Sequence, residues 1–461
     1  MRRQRTVLRA RFPGCPQLFP PRALLERYAT GCWKNVPTVP GERNLRFNTV
    51  PHILQVMVEK MDQHQGAISF PFPARSHLEF PPQFAEAHAK CPVSRVKLPH
   101  GQEAWLATGH DVVRKVLVDP NFSRALAAEH ENRRLTPAAI LNSSLIGLDP
   151  PDHTRLRTLA SRAFTARRVE RLRPHIVAII DDLLTAMGKH EGPVDLLEHF
   201  MRPLPALVIS EMMGVPEQDI ERFLEWSAEA IAGPSNPEAA AAGYQSLIEF
   251  FGKLIEDKRR APGDDLLSAL IAAHDEQDKL SDDEMVALSV LLLVAGHEAI
   301  TTVFSWFVII LTTQYPEHWK HLQSHPEDIA PTVEELLRVV PRTKIGGGFP
   351  RIAREDTELA GVRIKAGEAV IPAMDAANRD PVVYGEDPER LDFNRSENPH
   401  LGFGAGVHFC IGAPLARLQM QEGMRLLLKH FPTLRVAVPV EELKLTPETA
   451  MRILLSVPVT W

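Results

Sequence analysis

The sequence predicts an α+β protein, mainly α, in which long helices dominate and small β-sheets stand towards the two ends of the chain. Three observations carry this. From Asp149 to about His321, apolar residues recur mostly at helical spacing, with breaks near Gly192-Pro193, Gly214-Val215-Pro216, Gly233-Pro234 and Ala261-Pro262-Gly263. Inside that region, Val286 to Thr313 is apolar for most of its length and reaches roughly 40 Å as a helix. Before and after it, short runs alternate with a period of two.

Taken in order, the first 60 residues differ from the rest. Met1 to Thr30 holds seven arginines and one acid, with Pro13, Pro16, Pro20 and Pro21 among them. Residues 1–60 are expected to be a disordered extension or a misassigned translation start, Met61 being a natural alternative start, and residues 61–461 one domain. The extension has no apolar run of the length of a signal peptide or membrane anchor. Ala104-Trp105-Leu106-Ala107-Thr108 reads as a strand. Asp149-Pro150-Pro151 starts a helix, with Asp149 as N-cap and Pro150 in the first position. The apolar helix over 286–313 is interrupted at its centre by Gly296, His297 and Glu298. Polar groups at a bilayer centre are costly, so a helix buried inside protein is expected in place of a membrane span. After Pro341, Ala360-Gly361 and Lys365-Ala366-Gly367 stand between β-type runs and predict hairpins. Ile411 to Lys429 returns to helix, with Pro414 in its first turn and Leu415, Leu418, Met424 and Leu427 on one stripe. Leu454 to Val459 ends the chain in short strands.

Composition narrows the function classes. The 461 residues are 44% hydrophobic with a formal charge of −6, enough for one large core or two ordinary ones and unlike a dedicated nucleic-acid binder. Cys15, Cys32, Cys91 and Cys410 have neither disulfide-framework nor zinc spacing, so a reducing cytoplasm is expected. No Cys-x-x-Cys-His is present, which excludes covalently attached c-type haem.

The residue that points to chemistry is Cys410, in Leu401-Gly-Phe-Gly-Ala-Gly-Val-His-Phe-Cys-Ile-Gly412. A Gly-rich loop delivers a lone thiol to the start of a helix, where unpaired N–H groups and the helix dipole favour the thiolate. Gly402, Gly404 and Gly406 let the backbone pass close to something flat and large. Such a thiolate suits an axial iron ligand; the alternative is a buried structural cysteine. Phe403, Gly406, Cys410 and Gly412 complete the pattern Phe-x-x-Gly-x-x-x-Cys-x-Gly, with His408 two residues before the thiol. This loop resembles that of the cytochrome P450 family, and the resemblance extends over about residues 62–461.

The resemblance implies the family's fold, with a long central helix, a haem-thiolate loop and small sheets, and one haem b (iron protoporphyrin IX). It implies Cys410 as the axial iron ligand, with Phe403, Gly404 and Gly412 as its loop. His153 and Arg157, one turn apart on a helix, Arg351, and His408 resemble the residues that hold the haem propionates. Glu335 and Arg338 alone read as a surface ion pair; by resemblance they form a buried pair joined by Arg395, with a folding role. The central run Ala295-Gly296-His297-Glu298-Ala299-Ile300-Thr301-Thr302 departs from the family pattern, because Ala299 stands where a threonine is expected. Gly296 lets dioxygen approach, Glu298 keeps the acid of the proton relay, and Thr302 lies one turn beyond Ala299. Ordered water or a substrate hydroxyl replacing the missing alcohol is one reading; poor oxygen activation or an atypical outcome is another.

The expected activity is monooxygenation of a small organic molecule by O2, with electrons from a separate ferredoxin and ferredoxin reductase. The chain carries neither Gly-x-Gly-x-x-Gly nor a ferredoxin cysteine cluster. Arg155, Arg162, Arg167 and Arg168 form a docking patch or a solvated face. Gly346-Gly347-Gly348 widens the substrate pocket, adds mobility, or is a plain loop. Two rivals remain at this point: a peroxide-driven enzyme, and a non-catalytic haem protein that binds gas or ligand.

Overall fold

The computed structural model describes residues 67–74, 76–98, 102–129, 145–161, 164–232, 236–275, 281–343, 345–446 and 451–461; the extension predicted over 1–60 lies outside them. The main helices are α1 (Pro82–Lys90), α2 (His110–Val118), α3 (Asp152–Ser161), α4 (Ala166–Met187), α5 (Pro203–Met213), α6 (Ile220–Ala232), α7 (Pro237–Arg260), α8 (Leu266–Asp275), α9 (Asp282–Thr313), α10 (Pro316–Ser324), α11 (Ile329–Val339) and α12 (Ala413–His430). The strands are β1 (Ile68–Ser69), β2 (Val93–Lys97), β3 (Glu103–Ala107), β4 (Phe122–Ser123), β5 (Val194–Asp195), β6 (Arg351–Ala353), β7 (Thr357–Leu359), β8 (Val362–Ile364), β9 (Ala369–Pro372), β10 (Arg435–Val436) and β11 (Pro458–Thr460).

The predicted central helix is α9, 32 residues long. Ser281 and Glu284 close a capping box at its start, and Asp282, Asp283 and Glu284 complement the dipole there. Its apolar surface faces protein: α5, α6, α7 and α12 pack around it, and from Leu288 to Leu311 nearly every residue is buried. α12 begins two residues later than predicted, with Pro414 in its first turn and the predicted stripe buried. It lies against α4, α9 and α11.

The largest sheet has the order β1-β2-β3-β9-β6-β4, so it joins an early hairpin to strands some 260 residues later, as in the parallel pair Trp105↔Val370. β4 closes its edge antiparallel to β6, pairing Phe122 with Ala353 and Ser123 with Ile352. A second sheet runs β10-β11-β5.

Two local expectations need correction. Ala360 and Gly361 do make the β7–β8 hairpin, both with positive φ (49° and 87°). The Lys365–Gly367 turn makes no second hairpin; it hands the chain from β8 to β9 in the larger sheet. Asp149 does not cap α3 with its side chain. Its carbonyl accepts the His153 N–H, while its carboxylate accepts the Ser123 hydroxyl (2.5 Å), the Arg124 N–H (2.9 Å) and the Arg354 guanidinium (2.6 Å). α3 itself starts at Asp152.

Candidate active site

The Cys410 loop is folded by its own backbone. The Cys410 N–H donates to the Phe403 carbonyl (2.8 Å), the Gly404 N–H to Leu401 (2.9 Å) and the Phe409 N–H to Gly406 (3.0 Å). Gly404 and Gly406 both take positive φ (74° and 72°). The close approaches of this loop are to protein: a Cβ on Gly406 would stand 2.6 Å from the Leu117 carbonyl, and one on Gly402 2.9 Å from that of Leu337. Gly402 and Gly406 are thus required by their protein neighbours as well.

The thiol also differs from the sequence expectation. α12 starts three residues after Cys410, so the thiol lies ahead of the helix end. Burial raises its pKa, and the Gly412 N–H with the charges of Arg342, Arg157 and Arg417 opposes this only in part. The loop is tied down from outside. Arg342 donates to the Gly402 carbonyl and Arg157 to that of Phe409. Arg417 lies 4.6 Å from the Phe403 ring centroid and forks onto Glu334 (2.7 and 2.8 Å), which also bonds His400 (2.9 Å).

Beside this loop the structure gathers His153, Arg351 and His408. The two imidazoles stand 4.3 Å apart. Both nitrogens of His153, Nε2 of His408 and Nε of Arg351 are buried without a hydrogen-bond partner. Buried polar atoms of this kind require a partner; a neutral imidazole offers one N–H, and with the Nε–H of Arg351 the corner suits an anion. Burial, then the neighbouring charge of Arg157, holds His153 down to about 4; burial, then Arg351, holds His408 down to about 3. Arg157 shares the α3 face with His153, but it bonds the Phe409 carbonyl.

On α9 the buried run opens at one place. Between Leu288 and Leu311, Ala295 and Ala299 are the exposed residues, one turn apart on one face, with Gly296 and Glu298 half-buried beside them. Glu298 accepts from the Thr302 hydroxyl (3.4 Å). Burial pushes its pKa up, against Arg202 and Thr302. The two threonines have separate partners. Thr301 donates to the Met201 carbonyl (3.1 Å) and His297 bonds the Arg202 carbonyl (3.1 Å). The same Thr301 hydroxyl also lies 3.0 Å from the His297 carbonyl of its own helix.

Beneath the loop, Arg338 is fully buried. It forks onto Glu335 (2.9 and 2.6 Å) and also donates to the carbonyls of Asn378 (2.9 Å), Pro388 (2.7 Å) and Arg390 (3.1 Å). Glu335 further accepts from the Asp392 N–H (2.8 Å), Arg395 Nε (3.3 Å) and Asn398 Nδ2 (3.1 Å). Tyr384 lies between the two arginines, its ring centroid 4.8 Å from one guanidinium and 5.4 Å from the other.

Sequence reasoning missed Glu334, His400 and Arg417, which hold the loop, and the buried Arg124. For Arg417 a signal existed, since Arg417 lies one turn beyond Ala413 on the helix that starts beneath the loop; Arg124 and His400 had none. The Gly346–Gly348 expectation also changes. All three have positive φ (75°, 81°, 73°), and a Cβ on Gly348 would stand 2.1 Å from the Pro372 carbonyl, so the run is a tight turn that the backbone itself requires. Of the basic patch, Arg155 is paired with Glu284 (2.5 Å) and Arg168 lies near Asp264 (3.8 Å), while Arg162 lies outside the described residues.

The sequence model of the family described as Cytochrome P450 matches residues 234–327 and 329–458. The chain is 44% identical to nocardicin C N-oxygenase of Nocardia uniformis subsp. tsuyamanensis over 85% of its length and 98% of the relative's. It is 42% identical to mycinamicin IV hydroxylase/epoxidase of Micromonospora griseorubida, over 85% and 98%. Among solved structures, the mixed-function P450 MycG superposes with a TM-score of 0.81 at 41% identity, covering 86% of this chain and 100% of that one.

Proposed function

The chain belongs to the cytochrome P450 family and is a monooxygenase with haem b as its cofactor; from this premise we propose that it hydroxylates or epoxidises an apolar or amphipathic organic molecule, with Cys410 as the axial iron ligand. When bound, the haem supplies activation of dioxygen, one atom going to the substrate and the other, with two electrons and two protons, to water. The residues present suit the group. The observation that carries the reading is the set of unpartnered buried nitrogens on His153, Arg351 and His408 beside the Cys410 loop. The two propionates of a bound haem would accept from the N–H groups among them by charge-assisted hydrogen bonds. Phe403 and Gly404 shape the loop, and Gly412 brings its N–H to the sulfur. Cys410 would hold the iron as a thiolate. Arg157 clamps the Phe409 carbonyl and adds its positive field at the sulfur.

Proton delivery falls to Glu298. Burial raises its pKa, so the carboxyl keeps its proton to higher pH than an exposed one, and the Thr302 hydroxyl donates to it. Ala299 offers no hydroxyl on the exposed face, so a water or a substrate hydroxyl completes the relay there. Gly296 leaves room on that face, since a Cβ would meet only Ile209, at 3.8 Å. Glu335, Arg338 and Arg395 keep the segment leading to the loop in place. Residues 61–461 act as one catalytic domain in the cytoplasm, supplied with electrons by a separate ferredoxin and ferredoxin reductase. The names of the relatives, an N-oxygenase and a hydroxylase/epoxidase, support oxygen insertion as the outcome.

The carbon-monoxide spectrum of the reduced protein tests the ligand: a strongly red-shifted Soret band is expected, and a band typical of histidine ligation overturns Cys410. The second reading is a peroxide-driven enzyme, favoured by the missing hydroxyl at Ala299. Turnover with hydrogen peroxide but none with ferredoxin, reductase and O2 would establish it in place of the first.

A further inference from the structure

Arg124 is a buried cation that no role so far described uses. It follows β4 directly, and the register Phe122↔Ala353, Ser123↔Ile352 continues to place it opposite Arg351. Both arginines are 5% exposed. Like charges facing each other across a ladder repel, and a buried charge without a counter-charge is costly. The carboxylate that reaches this corner is Asp149, and its oxygens already accept from Ser123, the Arg124 backbone and Arg354.

The Arg124 side chain is held by neutral groups. Nε donates to the Ile146 carbonyl (3.2 Å) and Nη1 to that of Pro350 (3.0 Å); neither bond engages Nη2. The guanidinium also lies 5.1 Å from the centroid of Phe349. Its charge is felt at His408, as is that of Arg351. The corner therefore holds two arginines and two imidazoles against one carboxylate that is already shared. The two buried guanidinium charges, with Arg351 Nε unmet, suit anions brought from outside.

We infer that Arg124 is a further haem-binding residue, whose guanidinium completes with Arg351, His153 and His408 the seat of the two propionates. The two carbonyl bonds fix the direction of its fork, and Phe349 covers its face. The inference rests on haem being the cofactor.

The test uses the purified holoenzyme and the variants Arg124→Gln and Arg124→Lys, with Arg363→Gln on the exposed β7–β8 hairpin as a charge control. Two quantities are read: the rate of haem transfer to excess apomyoglobin, and the ferric/ferrous midpoint potential. Arg124→Gln is expected to keep the red-shifted carbon-monoxide band, to lose haem at least tenfold faster, and to have a lower potential, because a cation beside the propionates favours the reduced state. Arg124→Lys is expected to fall between, and the control to match the parent. A merely structural Arg124 would leave the potential unmoved. Arg124→Gln with parental transfer rate and potential overturns the inference. If that variant does not accumulate as holoenzyme, Arg124→Lys decides, and parental values for it overturn the inference equally. A parent protein without the red-shifted band would instead overturn the Cys410 assignment, which these variants do not touch.

Discussion

Replacing Arg338 with methionine removes the guanidinium and keeps most of the stem. Glu335, 1% exposed, then loses its forked partner, and three carbonyls from residues 378–390 lose their donor. Breaking a buried pair from one side costs about 3–5 kcal/mol, and each buried carbonyl left unmet adds about 1 kcal/mol or more. Arg395, Asn398 and the Asp392 N–H stay on Glu335 and offset part of this. A net loss of about 4–6 kcal/mol is expected, against a typical total of about 5–15 kcal/mol. The damage reaches the loop through Asn378, whose Oδ1 accepts the Leu401 N–H at 2.7 Å. Arg395→Met removes a longer bond on a more exposed side chain and should cost about 1 kcal/mol. Urea unfolding followed by tryptophan fluorescence, with haem content measured in parallel, checks both. An Arg338→Met variant within about 1 kcal/mol of the parent, or an Arg395→Met variant equally damaged, would refute the argument from counted bonds.

Other outcomes follow from the same geometry. Ala299→Thr restores a hydroxyl on the exposed α9 face and should raise the ratio of product formed to electrons consumed; unchanged coupling with the physiological substrate defeats the relay described for Glu298. Gly348→Ala should destabilise the fold by about 2 kcal/mol or more through its positive φ and the Pro372 carbonyl, whereas Gly296→Ala should leave thermal stability within about 0.5 kcal/mol. Burial alone would raise the pKa of Glu334, but the bonds from Arg417 and His400 bring it to about 2. A depressed carboxylate stabilises the fold above its unfolded pKa and loses that contribution as pH falls from about 4.5 to about 2. With screening at this partly exposed site the contribution is about 1–2 kcal/mol, so Arg417→Leu should flatten the acid limb of a stability–pH curve.

The local sequence by itself determined α9, α12, the β7–β8 hairpin and the Cys410 loop. Each rests on contacts within a few residues: a capping box, a 3.6-residue stripe, an Ala-Gly turn, or a run of glycines before a thiol. It also placed Glu335 beside Arg338 and His153 on one helix face, because helical spacing is a local fact. Tertiary structure decided which partners those side chains meet. Arg157 shares the face of His153 yet turns to the Phe409 carbonyl, and Asp149 leaves its own helix for Ser123, Arg124 and Arg354. Thr301 and Thr302 are neighbours in sequence, but Thr302 reaches Glu298 while Thr301 turns to the carbonyls of His297 and Met201. Arg124 stands opposite Arg351 across a ladder between residues more than 220 positions apart. The thiol shows the same division, for the helix that follows it is readable from the chain, while the charges of Arg342 and Arg157 that act on it come from distant parts of the fold.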